Sequence, residues 1–228
     1  MPTLESLQSL KTELIRKANG GSAFIAPLSA PAIASLTTYT AAVVGPPAEP
    51  AKISLTALPA GWGDLGYLTD DGLGFENETS QSDVTSWQSL TPTRSDLLTD
   101  TDTLAVVCQE TNIRTIGLYT GIDITGMVPV TNTGEVGISK PERPSARRFR
   151  ILGLAVDGEG DSEIWIARSM PNAKVTGKVG QKFGKGDDPI SYGVTFTAFK
   201  DSTLGYATRY IFGGPGWKAL LVQMGFTA

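Results

Sequence analysis

Residues 192–199 read Tyr192-Gly193-Val194-Thr195-Phe196-Thr197-Ala198-Phe199. Tyr192, Val194, Phe196 and Ala198 fall on alternate positions, with Gly193, Thr195, Thr197 and Phe199 between them. Alternation of this kind sends one set to a core face of a β-strand and the other to the opposite face. Similar runs occur on both sides of this stretch. Leu104–Cys108 and Thr115–Tyr119 read as strands around a turn-like Glu110-Thr111-Asn112, and Arg148–Val156 and Glu163–Ser169 flank Asp157-Gly158-Glu159-Gly160-Asp161 as a hairpin. Asp71-Gly72 is a second hairpin-type dipeptide, and Thr208–Phe212 and Ala219–Val222 read as closing strands. Short strands punctuated by 26 glycines and 14 prolines predict a mainly β sandwich or barrel over residues 61–228.

The first sixty residues read differently. Leu4, Leu7, Leu10, Leu14 and Ile15 recur at helical spacing after a capping Thr3 and before Asn19-Gly20-Gly21, which predicts one short amphipathic N-terminal helix over 4–18. Residues 22–60 are rich in Ala, Ser, Thr and Pro and poor in charge, the composition of an extended arm. Residues 1–60 are thus expected to be helix plus arm, outside a β domain at 61–228.

Two stretches have strand spacing but are polar on both faces: 76–89 (ENETSQSDVTSWQS) and 172–186 (NAKVTGKVGQKFGKG). A monomer gains little from long polar hairpins. An oligomer can use them to line a wet channel or extend a neighbour's sheet.

Charge is segregated along the chain. The whole carries −4, yet residues 61–139 hold twelve acidic and two basic residues, net −10, while residues 140–228 are net +5. Complementary patches of this kind steer association and set register. No apolar run reaches the length of a membrane span. The charged N-terminus lacks the apolar stretch of a signal peptide, which predicts a protein made in a cytoplasm and used there or in a particle assembled there.

Histidine is absent and Cys108 is the single cysteine. These counts exclude the usual zinc sites and the Ser-His-Asp and Cys-His nucleophilic systems. Cys108 sits in an apolar run and is expected to be a buried thiol. Gly184-Lys185-Gly186-Asp187-Asp188 lacks the Ser or Thr of a phosphate loop, and Asp157–Glu163 lacks the full calcium-loop pattern. Asp96, Asp100 and Asp102 could be imagined as a catalytic set, but nothing places them across a pocket. The basic run Pro141–Arg150 has no aromatic platform for nucleic acid and reads as a strand face or interface. The four tryptophans, Trp62, Trp87, Trp165 and Trp217, are scattered and read as core or interface. No catalytic residue, metal site or cofactor emerges.

Several strings nevertheless occur in a recognisable order. They are Gly61-Trp62-Gly63-Asp64-Leu65-Gly66-Tyr67-Leu68-Thr69-Asp70-Asp71-Gly72, Trp87-Gln88-Ser89, Pro92-x-Arg94, Glu110-Thr111-Asn112 with Leu118-Tyr119-x-Gly121, Lys140-Pro141-Glu142-Arg143-Pro144, Val156-Asp157-Gly158, Asp188 through Phe199, and Gly213-Gly214-Pro215-Gly216-Trp217. Their joint order over 61–217 resembles the major tail proteins (tail tube subunits) of long, non-contractile-tailed bacteriophages, especially those of actinobacteria. The resemblance implies a β-sandwich or barrel-like core with long hairpins. It also implies six copies closing a ring whose hairpins form a β-barrel around a lumen, and rings stacked into a tube for genome delivery into the host. Tail terminator, tape-measure and tail-tip proteins would be its partners, and DNA would pass without specific binding. The 1–60 segment is longer than the short arm usual in the family.

An acid-lined lumen repels phosphate and lets DNA slide. Part of the set Glu76, Glu78 and Asp83 is therefore expected to face the lumen, and the loop bearing Lys178, Lys182, Lys185, Asp187 and Asp188 to touch a neighbouring subunit. The arm or the 172–188 loop is expected to order only in the tube. A secretion-system or contractile-tail inner tube shares the implied fold and stays open as an alternative. From other classes, so do a host- or carbohydrate-binding β module and a carboxylate-based glycosidase.

Overall fold

In a computed structural model, which describes residues 3–44, 49–142, 146–186 and 189–227, the alternating stretch is a strand with Val194, Phe196 and Ala198 buried and Thr195 and Thr197 half-exposed. It belongs to a mainly β chain. In order come α1 (Leu4–Leu7), β1 (Gly20–Pro27), β2 (Thr37–Thr40), β3 (Lys52–Leu55), β4 (Gly63–Asp64), β5 (Leu68–Val84) and β6 (Arg94–Cys108). They are followed by α2 (Ile113–Thr120), β7 (Phe149–Asp157), β8 (Ile164–Lys178), β9 (Tyr192–Ala198), β10 (Arg209–Gly213) and α3 (Pro215–Leu220). An antiparallel sheet runs β4-β1-β7-β8-β9-β6-β5, with β10 also paired to β8, while β2 and β3 form a separate hairpin.

The long strand β8 organises this sheet. It pairs with β7 from Ile164 to Ala173, and its other edge takes β10 at Trp165–Ser169 and then β9 from Ala173 onward. One strand therefore serves two half-sheets, β4-β1-β7-β8-β10 and β8-β9-β6-β5. Their inner faces meet in a core of Ala23, Ile25 and Ile151 from the first and Leu104, Val106, Val194 and Phe196 from the second. Gly153 on β7 has no side chain because the Phe75 ring and Leu73 of β5 occupy that space. A second cluster lies on the far face of β7 and β8, where Leu152, Leu154, Trp165 and Ala167 are covered by Ile33, Leu36, Ile53, Leu58 and Trp62.

Several expectations need correction. The 4–18 helix is reduced to Leu4–Leu7 and a 3-10 turn at Thr12–Leu14. Thr3 makes no side-chain cap, and Leu4, Leu7, Leu10 and Ile15 are exposed among the described residues, so the tertiary burial that stabilises short helices is small here. Gly20 and Gly21 begin a strand instead of ending a helix. Residues 22–60 are not an arm throughout, since β1 sits between β4 and β7 with Ala23, Ile25 and Ala26 buried. Its small residues read as linker only until the neighbouring strand is known.

Asp71-Gly72 lies inside β5. Gly72 takes a positive φ of 65° where pairing slips between Leu68↔Cys108 and Leu73↔Val106, a bulge and not a hairpin turn. Thr115–Tyr119 is helix. Asn112 accepts bonds from the Arg114 and Thr115 N–H groups, the Thr115 hydroxyl accepts from the Asn112 N–H, and Gly121 ends the helix at φ 78°. The Ala219–Val222 stretch is also not a strand, because Pro215 opens a helical turn at its first position. The Asp157-Gly158 hairpin is as expected, joining β7 to β8 with Gly158 at φ 81°.

Candidate assembly surfaces

The half-sheet β8-β9-β6-β5 has two edges without a partner strand among the described residues. β7 stops pairing at Phe149↔Ala173, so residues 174–178 of β8 bond only to β9. At the other side, β5 bonds to β6 alone from Leu73 to Val84. Beyond Thr103, β6 has lost β9, and β5 with β6 projects as a two-stranded ribbon. Exposed strand edges of this length are templates for pairing with another chain.

Register places the side chains on the two faces. Glu76, Thr103, Thr197 and Lys174 form one row across the four strands, and Glu78 lies opposite Thr101 in the next. This outer face is a hydroxyl surface, with Ser80 bonded to Thr99 at 2.6 Å and Thr176 to Thr197 at 2.7 Å. The opposite face continues from Phe75 through Asn77, Thr79 and Gln81 to Asp83. Glu76 and Glu78 thus share a face, and Asp83 belongs to the other.

The two edges differ in charge. Strand β5 carries Asp70, Asp71, Glu76, Glu78 and Asp83. At the β8 edge, a pocket of about 290 Å³ lies between the end of α2 and the strand, walled by Lys140, Arg147, Lys174 and Lys178. Burial, followed by the charge of Lys140, pushes the Lys178 amine below its ordinary value. Lys178 also lies 5.9 Å from the centre of the Tyr119 ring. Arg147 pairs with Asp123 at 3.4 Å and donates to the Ile122 carbonyl. Backbone and side-chain bonds from Thr125 hold the Asp123 carboxyl below the usual carboxylate value.

Lys178 closes β8, and Lys182 and Lys185 follow on a loop beside an exposed Phe183. Asp187 and Asp188 lie outside the described residues, as does Arg143 of the basic run. The rest of that run is occupied internally. Arg148 stacks on Phe199, 4.2 Å from the ring centre, and Arg150 donates to the carbonyls of Leu28, Ala30 and Pro171 and to Asp201. Asp100 and Asp102 both accept from the Asn77 amide, and Asp96 pairs with Arg94 at 2.7 Å on the exposed ribbon. The Cys108 thiol is buried and pushed up to about 11, first by burial and then by Asp64 and Glu110, so it is protonated at neutral pH. Among the described residues, no group of three or more Asp, Glu or Cys could hold a metal ion, and no helix is long and apolar enough to cross a membrane.

At the tip of the β5–β6 ribbon Trp87 and Leu90 are fully exposed, so Trp87, expected in core or interface, is not core, and Leu90 was not singled out from sequence. The alternation of polar residues leading into them was the available signal.

A family model described as phage tail tube protein matches residues 9–212. The chain belongs to the phage tail tube protein family. Among solved structures, this tail tube protein is similar to a chain described as the virion of a native gene transfer agent particle. Identity is 12% and the TM-score 0.35, over 68% of this chain and 92% of that one. The comparison with curated proteins gives no match. A tail tube protein is a structural component of the virion, and the mainly β architecture with its long ribbon accords with that role.

Proposed function

We propose that six copies of this tail tube protein close into a ring by pairing the acidic β5 edge of one subunit with the basic β8 edge of the next, and that stacked rings form the conduit for the phage genome. The observation that carries this reading is the half-sheet with two open edges of opposite charge. Pairing them head to tail leaves this half-sheet without an open edge, which is what closure of a sheet accomplishes. The row Glu76-Thr103-Thr197-Lys174 would then repeat around one face of the closed sheet.

That face would line the lumen. Hydroxyls with Glu76 and Glu78 offer DNA few cations, so the duplex slides through without phosphate anchoring. Asp83, on the opposite face, falls outside this lining. Lys174 would meet Glu76 or Glu78 of the adjacent copy, and the Lys182–Lys185 loop would contact a neighbouring subunit. The role is structural and involves no catalysis. Assembly in the host cytoplasm, with tail terminator, tape-measure and tail-tip proteins at the tube's ends and interior, is part of the same proposal, and membership of the tail tube family supports it.

The test is electron microscopy of the purified protein with a charge swap. Wild type should give sixfold rings or tubes. Glu76→Lys should abolish them, and adding Lys174→Glu should restore them. Strict monomers of wild type at high concentration would sink the ring reading, and failure of rescue would sink the edge pairing.

A further inference from the structure

Residues Thr69 through Gly72 of β5 stand opposite Val107 of β6 alone, because pairing passes from Leu68↔Cys108 directly to Leu73↔Val106. Extra residues on one strand have no ladder partner and are pushed out of it. Asp70 and Asp71 are exposed on this bulge, and among the described residues neither forms an ion pair. Nearby acids are already engaged. The Asp64 carboxylate accepts from the Ser22 hydroxyl and the Gly66 N–H, and Glu110 accepts from the Tyr67 N–H. Arg168, in the cleft that the bulge borders, lies over the Phe75 and Tyr210 rings, 4.6 and 4.7 Å from their centres. The bulge thus presents two carboxylates without a counter-charge at the open edge of the half-sheet.

The other open edge carries a counterpart at the same level. Register leads from Leu73 across Val106 and Val194 to Lys178, so Lys178 lies in the row that borders the bulge. Lys178 shares the core-side face with Val194, and the bulge borders the core-side cleft, so both features lie away from the row of Glu76 and Lys174. The pocket of about 290 Å³ beside Lys178 joins it to Lys140 over an apolar floor of Leu118, Phe149 and Val175. Its other cations have assigned neighbours, since Arg147 pairs with Asp123 and Lys174 stands in the row of Glu76. Burial and the charge of Lys140 both disfavour the charged Lys178 amine, and a carboxylate entering the pocket opposes both effects. We infer that the Asp70-Asp71 bulge of one copy docks in the Lys140–Lys178 pocket of the next. The two patches differ, so the contact is heterologous and suits a ring instead of a two-fold dimer. The inference rests on the ring reading and adds to its edge pairing a second charge contact on the opposite face.

Two full-length variants, Asp71→Cys and Lys178→Cys, are purified separately, mixed under assembly conditions and oxidised. Each chain carries one new thiol and Cys108 is buried, so a disulfide between these positions joins two copies. A covalent dimer is expected in the mixture and in neither variant alone, with the mixed disulfide confirmed by peptide mass. In parallel, Asp70→Lys with Asp71→Lys is expected to lower ring yield about tenfold, because like charges would then face each other across the junction. Adding Lys140→Glu with Lys178→Glu should restore it, and thermal midpoints check that each variant is folded. Glu76 and Lys174 stay native throughout, which separates this contact from the edge pairing. Rings with neither the mixed disulfide nor the rescue overturn the docking and leave the ring reading intact. The disulfide in dimers that never form rings supports the docking and overturns the ring reading. Rings at wild-type yield from the variant with both aspartates replaced also overturn the docking.

Discussion

Arg150 ties together three parts of the chain that are remote in sequence. Its guanidinium bonds the Leu28 and Ala30 carbonyls after β1, the Pro171 carbonyl on β8, and Asp201 at 3.2 Å. Replacement by Ala strands these acceptors, and hydrogen bonds to charged groups are worth roughly 1.5–3 kcal/mol each. Arg150→Ala is therefore expected to cost about 2–4 kcal/mol after relaxation, read as a fall in the denaturant midpoint. Asp201 gives a pH signature. Backbone bonds from Leu204 and Thr203, together with Arg150, hold its carboxyl below the ordinary 3.8. Its contribution is full above that ordinary value and is lost as pH falls through the lowered one. Asp201→Asn should flatten the loss of thermal stability between neutral pH and strong acid. Cys108 gives a chemical signature at the same scale, because a buried, protonated thiol is inert. Ellman's reagent should leave the native protein unmodified at pH 8 and label it stoichiometrically in guanidinium.

At the scale of elements, α2 depends on its cap. Asn112 binds the Arg114 and Thr115 N–H groups at 2.9 and 3.0 Å. Its loss as Asn112→Ala should cost about 1 kcal/mol, measured by chemical denaturation. This helix also shows where sequence reading falls short. Residues 115–119 contain Thr, Ile, Leu and Tyr, which suit a strand on propensity. The capping pair Asn112 and Thr115 and the terminal Gly121 were visible signals and outweigh it. By contrast, β9 and the β7–β8 hairpin were legible because alternation and Asp157-Gly158 are local. The β1 strand was not legible, since only its pairing with β7 distinguishes it from an arm.

At the scale of the whole molecule, the charge split is carried on two edges of one half-sheet. If those edges pair between copies, assembly must weaken as salt screens them, with a Debye length of about 10 Å at 0.1 M and about 3 Å at 1 M. Ring or tube yield is expected to fall several-fold between these salt concentrations, followed by sedimentation. A yield that rises with salt would point to apolar contacts as the dominant force.

The sequence by itself determined the β class, the absence of histidine chemistry, the polar ribbon and the segregation of charge, because each is a property of neighbouring residues or of composition. Tertiary structure alone decided that β8 serves two half-sheets, that β1 is core, and that Glu76 and Glu78 lie across from Lys174 on one face while Asp83 does not. The physical reason is register. A strand's alternation says which residues share a face, but only its hydrogen-bonded partners say what that face meets.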